Sequence, residues 1–236
     1  MNKKMQLFCF SHAGGTTAFF DRLENACSER LKLIKLEYSG HGRRMKEPLY
    51  KTLREITEDL YDVIRDINFE EEYCLAGYSM GSLVAVDMFI YIREKGEMPL
   101  PKHIFIAAHA PEDRIDYLEC DDSQNDEIIK NRTIGYGAVP DNLINNSAFW
   151  RLYLPIYRAD YEVINSFDST QIDMIENVPL TVFYSDEDTP WEKIKKWDRI
   201  FKYTDYVKYV GNHFFYNEYY MDMAEIIQER LQLNGI

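Results

Sequence analysis

The feature that most constrains the fold of this chain is a glycine-flanked serine at the junction of two differently patterned stretches. Residues 72–78 form an apolar run of strand length, whereas the apolar residues after Gly81 recur with the spacing of a helix that has one apolar face. The junction, residues 77–81, reads Gly-Tyr-Ser-Met-Gly and matches G-x-S-x-G. In a tight strand-to-helix turn of this kind, the hydroxyl of Ser79 is raised above the sheet edge, beside the helix N-terminus. The junction therefore predicts a nucleophile elbow, against the alternative of a glycine-rich turn without chemistry.

Composition limits the partners that this chain can have. Its 236 residues, 46% of them hydrophobic, suffice for one substantial core and leave room for an insertion. The formal net charge of −13 argues against nucleic-acid binding and against docking on an anionic membrane. We therefore expect a neutral partner, or one that is met by a local basic patch.

The cysteines and the N-terminal residues carry no signal for a metal, a disulfide or export. The four cysteines are widely separated, with no C-x-x-C and no histidine at ligand spacing: Cys9, Cys27, Cys74 and Cys120. We expect reduced core cysteines and no metal or cofactor. A strand-like stretch begins at Met5, too early for the apolar region of a signal peptide, and no apolar run reaches membrane-spanning length. A soluble cytoplasmic protein is predicted.

The first strand, residues 5–10, is followed by a loop with paired glycines. Residues 11–17 read Ser-His-Ala-Gly-Gly-Thr-Thr, and such glycines let a backbone turn tightly and expose its N–H groups. A phosphate cradle is disfavoured because both the G-x-G-x-x-G fingerprint and the P-loop lysine are missing. Since the loop precedes a G-x-S-x-G junction, the second arm of an oxyanion hole is favoured over a plain connecting turn.

Two further strand-loop junctions carry candidate site residues. The loop at residues 38–44 contains Arg43 and Arg44; Arg44 and the nearby Lys46 are typical of a solvated turn, whereas Arg43 is expected near the strand C-termini, where α/β sheets bind ligands. His109 ends a buried strand-like stretch. A structural hydrogen bond is the favoured role for His109, and a site role is the alternative.

From about residue 112 the pattern changes. Strand-loop-helix alternation stops, and residues 112–175 combine an acidic stretch with helical spacing and many aromatic residues. We predict an α/β core formed by residues 1–111 and 176–236, with residues 112–175 inserted as a helical cap. A cap of this kind would exclude water and line an acyl-binding wall. The alternative is an ordinary helical lobe whose aromatic residues belong to the core.

Acyl transfer needs a hydroxyl activated by an imidazole that a carboxylate holds in one tautomer. In α/β-hydrolases these residues follow strands in the order serine, acid, histidine. Here Ser79 is followed by an acidic loop after the strand at residues 178–184, and then by His213 after the strand at residues 206–210. Asp188 is preferred as the acid because it lies further into its loop, with Asp186 as the alternative.

The sequence resembles the type II, or editing, thioesterases of non-ribosomal peptide synthetase and polyketide synthase systems, within the α/β-hydrolase superfamily. The matching stretches are residues 10–15 (FSHAGG), 39–43 (SGHGR), 77–81 (GYSMG), 154–160 (LPIYRAD) and 211–215 (GNHFF). The resemblance implies an α/β-hydrolase fold with a mostly parallel sheet and a helical cap. Residues 77–81 and 154–160 are the most specific, since a generic esterase has no reason to carry the second.

The resemblance also implies roles for individual residues. Ser79 is implied as the nucleophile, His213 as the base and Asp188 as the acid that orients it, with the oxyanion held by the amides of Ala13 and Met80. The implied reaction is hydrolysis of acyl groups from the phosphopantetheine arm of acyl or peptidyl carrier domains, by an enzyme expected to be a monomer.

Candidate carrier-binding or substrate-binding residues are Arg43, in its basic loop, and Arg158, in the cap motif. Carrier domains are generally acidic, as this chain is, so a weak and transient complex that depends on local positive groups is expected.

The chain departs from the family pattern at three serines. Ser39 replaces a usual proline, Ser82 a usual glycine after the elbow, and Ser185 a glycine common before the acid. The first two remove no catalytic group, and the third bears on the choice between Asp188 and Asp186.

Two other functions remain open from the sequence. One is a carboxylesterase or a chain-releasing fatty-acyl thioesterase with the same triad. The other is a binding module of hydrolase fold with a vestigial triad, which labelling of Ser79 by a fluorophosphonate probe would distinguish.

Overall fold

The computed structural model describes residues 4–67, 72–114 and 122–233. Its strands are β1 (Met5–Phe10), β2 (Leu31–Leu36), β3 (Glu72–Tyr78), β4 (Ile104–Ala107), β5 (Leu180–Ser185) and β6 (Thr204–Tyr209). Its α-helices are α1 (Asp21–Ala26), α2 (Leu53–Arg65), α3 (Met80–Lys95), α4 (Asp122–Gly135), α5 (Ser147–Asn165), α6 (Trp191–Ile194) and α7 (Tyr216–Arg230). Short 3-10 helices occur in several of the connections.

Within the described residues, the six strands form one sheet in the order β2-β1-β3-β4-β5-β6, and every neighbouring pair is parallel. The strand order reverses at β1, which pairs with β2 on one side and with β3 on the other. From β3 onward the chain advances in one direction to β6. The loops after β1 and β3 therefore lie side by side at the carboxyl edge of the sheet, where the order changes direction.

Helices cover both faces of the sheet, which explains why the central strands β1, β3, β4 and β5 are buried on both sides. On one face α2 and α3 pack together; Ile56, Leu60 and Ile64 of α2 recur every four residues and are buried there. On the other face α1 packs against α7, with Leu23 and Ile227 in a second apolar cluster. The site lies above this sheet, at the carboxyl ends of its strands.

The connection between β4 and β5 contains α4 and α5, which pack against each other, and α5 also contacts α3. It corresponds to the segment that the sequence predicts as a cap, residues 112–175, here called the cap segment. We propose that it acts as a cap. The division into core and cap remains a prediction.

Cys9 and Cys74 are buried and Cys27 is half-buried, and within the described residues none of the three forms a disulfide. Cys120 lies outside the described residues. Over residues 4–67, 72–114 and 122–233, no helix is long and apolar enough to cross a membrane.

Candidate active site

The backbone at Ser79 is strained. Ser79 lies between β3 and α3 with φ 52° and ψ −120°, a conformation that a residue with a Cβ rarely adopts. The flanking glycines allow the turn to pack closely: a Cβ on Gly81 would lie 2.0 Å from the carbonyl oxygen of Phe10, and one on Gly77 would lie 2.0 Å from that of Gly81. Close packing of α3 against β1 and β3 therefore requires glycine at both positions.

The side chains of Ser79, His213 and Asp188 form a continuous hydrogen-bonded chain. The Nε2 atom of His213 is 2.9 Å from Ser79 Oγ, and its Nδ1 atom is 2.8 Å from Asp188 Oδ1. Since a carboxylate only accepts, Nδ1 carries the proton, and Nε2 of the neutral ring accepts from the serine hydroxyl. Ser79 and His213 are 7% and 8% exposed, so the chain is shielded from bulk water yet reachable.

The two aspartates of the acidic loop after β5 have different partners. Asp188 is the one placed on His213. Asp186 is instead ion-paired with Lys208, and its Oδ1 accepts the amide N–H of Trp191 at 3.1 Å, at the start of α6. The Oγ of Ser185 donates to the carbonyl oxygen of Gly211 at 2.6 Å, which joins the acidic loop to the loop of His213.

Two tyrosines that the sequence does not single out hold His213 in place. The hydroxyl of Tyr78 donates to the backbone carbonyl of His213 at 2.7 Å. The ring of Tyr136, at the end of α4, lies 4.4 Å from the imidazole, centroid to centroid. Tyr78 occupies the first variable position of G-x-S-x-G, so it lies next to Ser79 in the chain and close to His213 in the fold. The contact of Tyr136 with His213 cannot be read from the sequence, because it forms through the folding of the cap segment.

The two predicted oxyanion donors come from the neighbouring loops after β1 and β3. Met80 is the first residue of α3, so its amide N–H has no carbonyl partner inside the helix. Ala13 lines the same cavity as Ser79, and within the described residues its amide makes no hydrogen bond. Both N–H groups are thus available to an anion formed next to Ser79.

The cavity above Ser79 has a volume of about 270 Å³ and a mixed lining. Aromatic residues line part of it, and three cationic residues line another part: Arg114, Arg132 and Lys193. Lys193 is ion-paired with Asp113 at 2.7 Å, whereas Arg132 donates to the hydroxyl of Tyr136 at 3.1 Å.

Two further histidines line the cavity, and burial keeps both neutral at pH 7. Burial lowers the pKa of His12 to about 4 and also lowers the pKa of His109. Each donates from Nδ1 to a neighbouring carbonyl oxygen, His12 to Ala13 at 2.9 Å and His109 to Ala110 at 2.6 Å. His109 thus makes the structural hydrogen bond favoured from the sequence, in the wall of the cavity.

Residues 5–231 match the family model of the thioesterase domain. The chain belongs to the thioesterase family. Its fold is accordingly the predicted α/β-hydrolase fold, with a parallel sheet.

Among characterised proteins, this thioesterase is 24% identical over 237 residues to the gramicidin S biosynthesis protein GrsT of Aneurinibacillus migulanus, covering 98% of this chain and 90% of that protein. It is 24% identical over 188 residues to the medium-chain S-acyl fatty acid synthase thioesterase of Rattus norvegicus, covering 78% of this chain and 71% of the other. Its fold is similar to the crystal structure of ClbQ from the colibactin NRPS/PKS pathway, with a TM-score of 0.84, 20% identity and 98% of each chain covered.

The predicted carrier-binding residues of this thioesterase lie outside the lining of its cavity. Arg44 is ion-paired with Asp59 at 2.6 Å, while Arg43 is exposed. Arg158 is half-buried and ion-paired with Asp126, which joins α5 to α4. Arg158 therefore braces the cap segment, and its predicted role in substrate binding gains no support from its position.

One residue of the cap segment reaches the loop after β1, residues 11–15, here called the oxyanion loop after its predicted role, although the sequence assigns this residue no role. The carboxylate of Asp160 accepts the amide N–H of Gly14 at 2.6 Å. Asp160 is the last residue of the family-specific stretch at residues 154–160. Its place in that stretch is the one sequence feature that could have marked it as functional. Nothing in the spacing alone indicates which loop its carboxylate meets.

Proposed function

We propose that this protein hydrolyses acyl thioesters through an acyl-enzyme on Ser79, with His213 as the base and Asp188 as its orienting acid. The observation that carries the proposal is the hydrogen-bonded chain from Asp188 through His213 to Ser79, with both distances below 3 Å. Membership of the thioesterase family supports the choice of a thioester over other acyl substrates.

In the proposed mechanism, Ser79 Oγ attacks the thioester carbonyl while His213 Nε2 takes the hydroxyl proton. The amides of Ala13 and Met80 stabilise the oxyanion. The C–S bond then breaks, and His213 returns the proton to the leaving thiolate. Water, deprotonated by His213, attacks the acyl-enzyme in the same way, releasing the acid and restoring Ser79. Asp188 accepts the Nδ1 proton of His213 in a hydrogen bond and stabilises the imidazolium in both halves of the reaction.

The proposed substrate is an acyl group on the phosphopantetheine arm of an acyl or peptidyl carrier domain. Support comes from the similarity to GrsT, named for gramicidin S biosynthesis, and to ClbQ, named for an NRPS/PKS pathway. The proposed role is editing, by removal of acyl groups that block such carriers. Action in the cytoplasm and as a monomer remain predictions.

A comparison of three substrates with one acyl chain tests the proposal: an acyl-carrier, an acyl-CoA and an oxygen ester. The acyl-carrier is expected to have the highest kcat/KM, and Ser79→Ala is expected to lose several powers of ten in rate. If Ser79→Ala keeps near-normal turnover, the assigned nucleophile is wrong. If the oxygen ester is preferred, the protein is a carboxylesterase.

Chain release from a fatty-acid synthase is the second candidate, favoured by the similarity to the rat medium-chain enzyme. The cationic residues Arg114, Arg132 and Lys193 in the cavity lining argue against it, because a hydrocarbon chain gains nothing from charged groups that it would desolvate. Turnover of acyl-carrier substrates from two to twelve carbons distinguishes the two. A rise toward the longer chains would favour chain release.

A further inference from the structure

The oxyanion loop after β1, residues 11–15, is held only partly from within. Among the described residues it makes one backbone turn bond, from the Gly15 amide to the carbonyl of His12 at 2.9 Å, and one side-chain bond, from His12 Nδ1 to the carbonyl of Ala13 at 2.9 Å. Gly14 has φ +70°, a conformation that glycine adopts without cost and from which it departs just as easily. The Gly15 bond orients the His12–Ala13 peptide that carries the Ala13 N–H, and contacts to Gly14 from outside the loop hold this turn in place.

Helix α5 of the cap segment supplies two such contacts, one helical turn apart. Asp160 Oδ2 accepts the Gly14 amide at 2.6 Å. The ring of Tyr157 lies against the same glycine, so closely that a Cβ on Gly14 would lie 2.2 Å from Tyr157 Cε1. Because residues at i and i+3 share one face of a helix, both contacts are made only when this face of α5 is seated on the loop.

A third residue holds the Asp160 carboxylate in place. His41, in the loop after β2, donates from Nε2 to Asp160 Oδ2 at 2.9 Å. Its Nδ1 faces the carbonyl oxygen of Ser39 at 3.0 Å. A carboxylate and a carbonyl both accept, so both ring nitrogens carry protons and His41 is an imidazolium. His41 and Asp160 are each 2% exposed, so the pair is a buried ion pair between the core and the cap segment.

We propose that Asp160 is a positioning residue: it aligns the oxyanion loop through Gly14, and so makes oxyanion stabilisation depend on how α5 is seated on that loop. This inference rests on the proposed function, since it concerns the oxyanion of acyl transfer from Ser79. The Asp160 carboxylate touches neither Ser79 nor His213, and its effect on the reaction passes through the loop.

Asp160→Asn tests the proposal, because the amide keeps the shape of the side chain and removes the charge that pairs with His41. A donor that is misaligned weakens binding of the transition state more than binding of the substrate. We therefore expect kcat to fall about 10- to 100-fold with little change in KM. Glu162→Gln, on the same helix and exposed, is the matched control and should keep wild-type kcat.

The NMR signal of the Gly14 amide provides a readout that a general loss of stability would not move. In the wild-type protein we expect a downfield proton that is protected from solvent exchange, because it donates to a buried carboxylate. In Asp160→Asn this proton should move upfield and exchange faster. A wild-type Gly14 amide that exchanges freely would overturn the proposal, whether or not the variant folds.

The remaining outcomes separate this inference from the proposed function. If wild-type protein hydrolyses the thioester through Ser79 but Asp160→Asn keeps full kcat, the positioning role is wrong and the function stands. If kcat and KM of Asp160→Asn change as much as those of Glu162→Gln, the role is likewise wrong. If Ser79→Ala and wild type do not differ, the proposed function fails first.

Discussion

The three serines at which the chain departs from its family pattern all make hydrogen bonds to backbone carbonyls. Ser39 Oγ donates to Pro48 at 2.6 Å, Ser82 Oγ to Ala107 at 2.8 Å, and Ser185 Oγ to Gly211 at 2.6 Å. Each hydroxyl therefore satisfies a carbonyl that a proline or glycine in its place would leave to other partners. The third of these bonds joins the loop that carries Asp188 to the loop that carries His213.

Ser185→Ala should loosen the contact between the two loops that carry Asp188 and His213. Losing the bond to the Gly211 carbonyl is expected to cost about 1 kcal/mol of unfolding free energy, and kcat should fall several-fold because the imidazole is less well oriented. Ser39→Ala is the control, since it removes a similar bond away from the triad. Urea unfolding and kcat measure both effects; an equal loss of kcat in the two variants would contradict the expectation.

The two aspartates of the acidic loop are expected to respond differently to the same substitution. Asp188→Asn should lower kcat by about 10²- to 10⁴-fold, because an amide does not hold the Nδ1 proton in place and favours the wrong tautomer of His213. Asp186→Asn, which affects Lys208 and the start of α6, should stay within a few-fold of wild type. Steady-state rates on one acyl-carrier substrate decide this, and a larger loss in Asp186→Asn would reverse the choice of acid.

The first two strands follow their local apolar pattern, whereas the helical segment after β5 does not. Residues 5–10 and 31–36 are strands, as their apolar pattern predicts. Residues 191–201 have the spacing of a single amphipathic helix, but α6 ends at Ile194 and a 3-10 helix follows. The tighter turn brings Trp197 into the core, where its Nε1 donates to the carbonyl of His109 at 3.0 Å. Contacts with residues far away in the sequence thus override the local helical spacing of residues 191–201.

The contact between α5 and the loop after β2 should make stability depend on pH. Although burial disfavours the charged ring, the Asp160 carboxylate, with a smaller effect of Glu37, raises the pKa of His41 above 6.5. A raised pKa stabilises the fold below the unfolded value, and this contribution is lost as pH rises through the folded value. The groups that face His41 are Asp160 on α5, Glu37 after β2, and neutral His12 after β1.

His41→Gln measures this dependence. Urea unfolding between pH 6 and 9 should show the largest advantage of wild type over His41→Gln near pH 6, and the advantage should shrink as the pH is raised. An advantage that stays constant over this range would mean that the charge on His41 contributes nothing to stability.

For the whole molecule, the sequence predicts the fold and the order of the triad but not the contacts that cross between segments. The elbow is readable because Gly77, Ser79 and Gly81 are neighbours in the chain. By contrast, Asp160 and Gly14 are 146 residues apart, and the contact of Tyr136 with His213 depends on how the cap segment folds back. The spacing of apolar residues indicates which face of a helix or strand is buried, but not which other segment packs against that face.

The net charge of −13 makes local positive groups decisive for an acidic carrier partner. Arg43→Glu is expected to raise KM several-fold for an acyl-carrier and to leave KM for a small thioester unchanged. Arg44 is unsuitable for this test, since its reversal would break the ion pair with Asp59. Lys32→Glu, exposed near the opposite end of the sheet, is the control. An equal rise for both substrates would remove Arg43 from the docking surface.

The reversal of strand order at β1 has a consequence that does not depend on Ser79. The crevice between the loops after β1 and β3 exists because the chain leaves these strands toward opposite faces of the sheet, as α1 and α3 do. No catalytic side chain is needed to create it. In the proposed mechanism, loss of the Ser79 hydroxyl would end the reaction but leave the crevice itself in place, since the strand order and not the serine creates it.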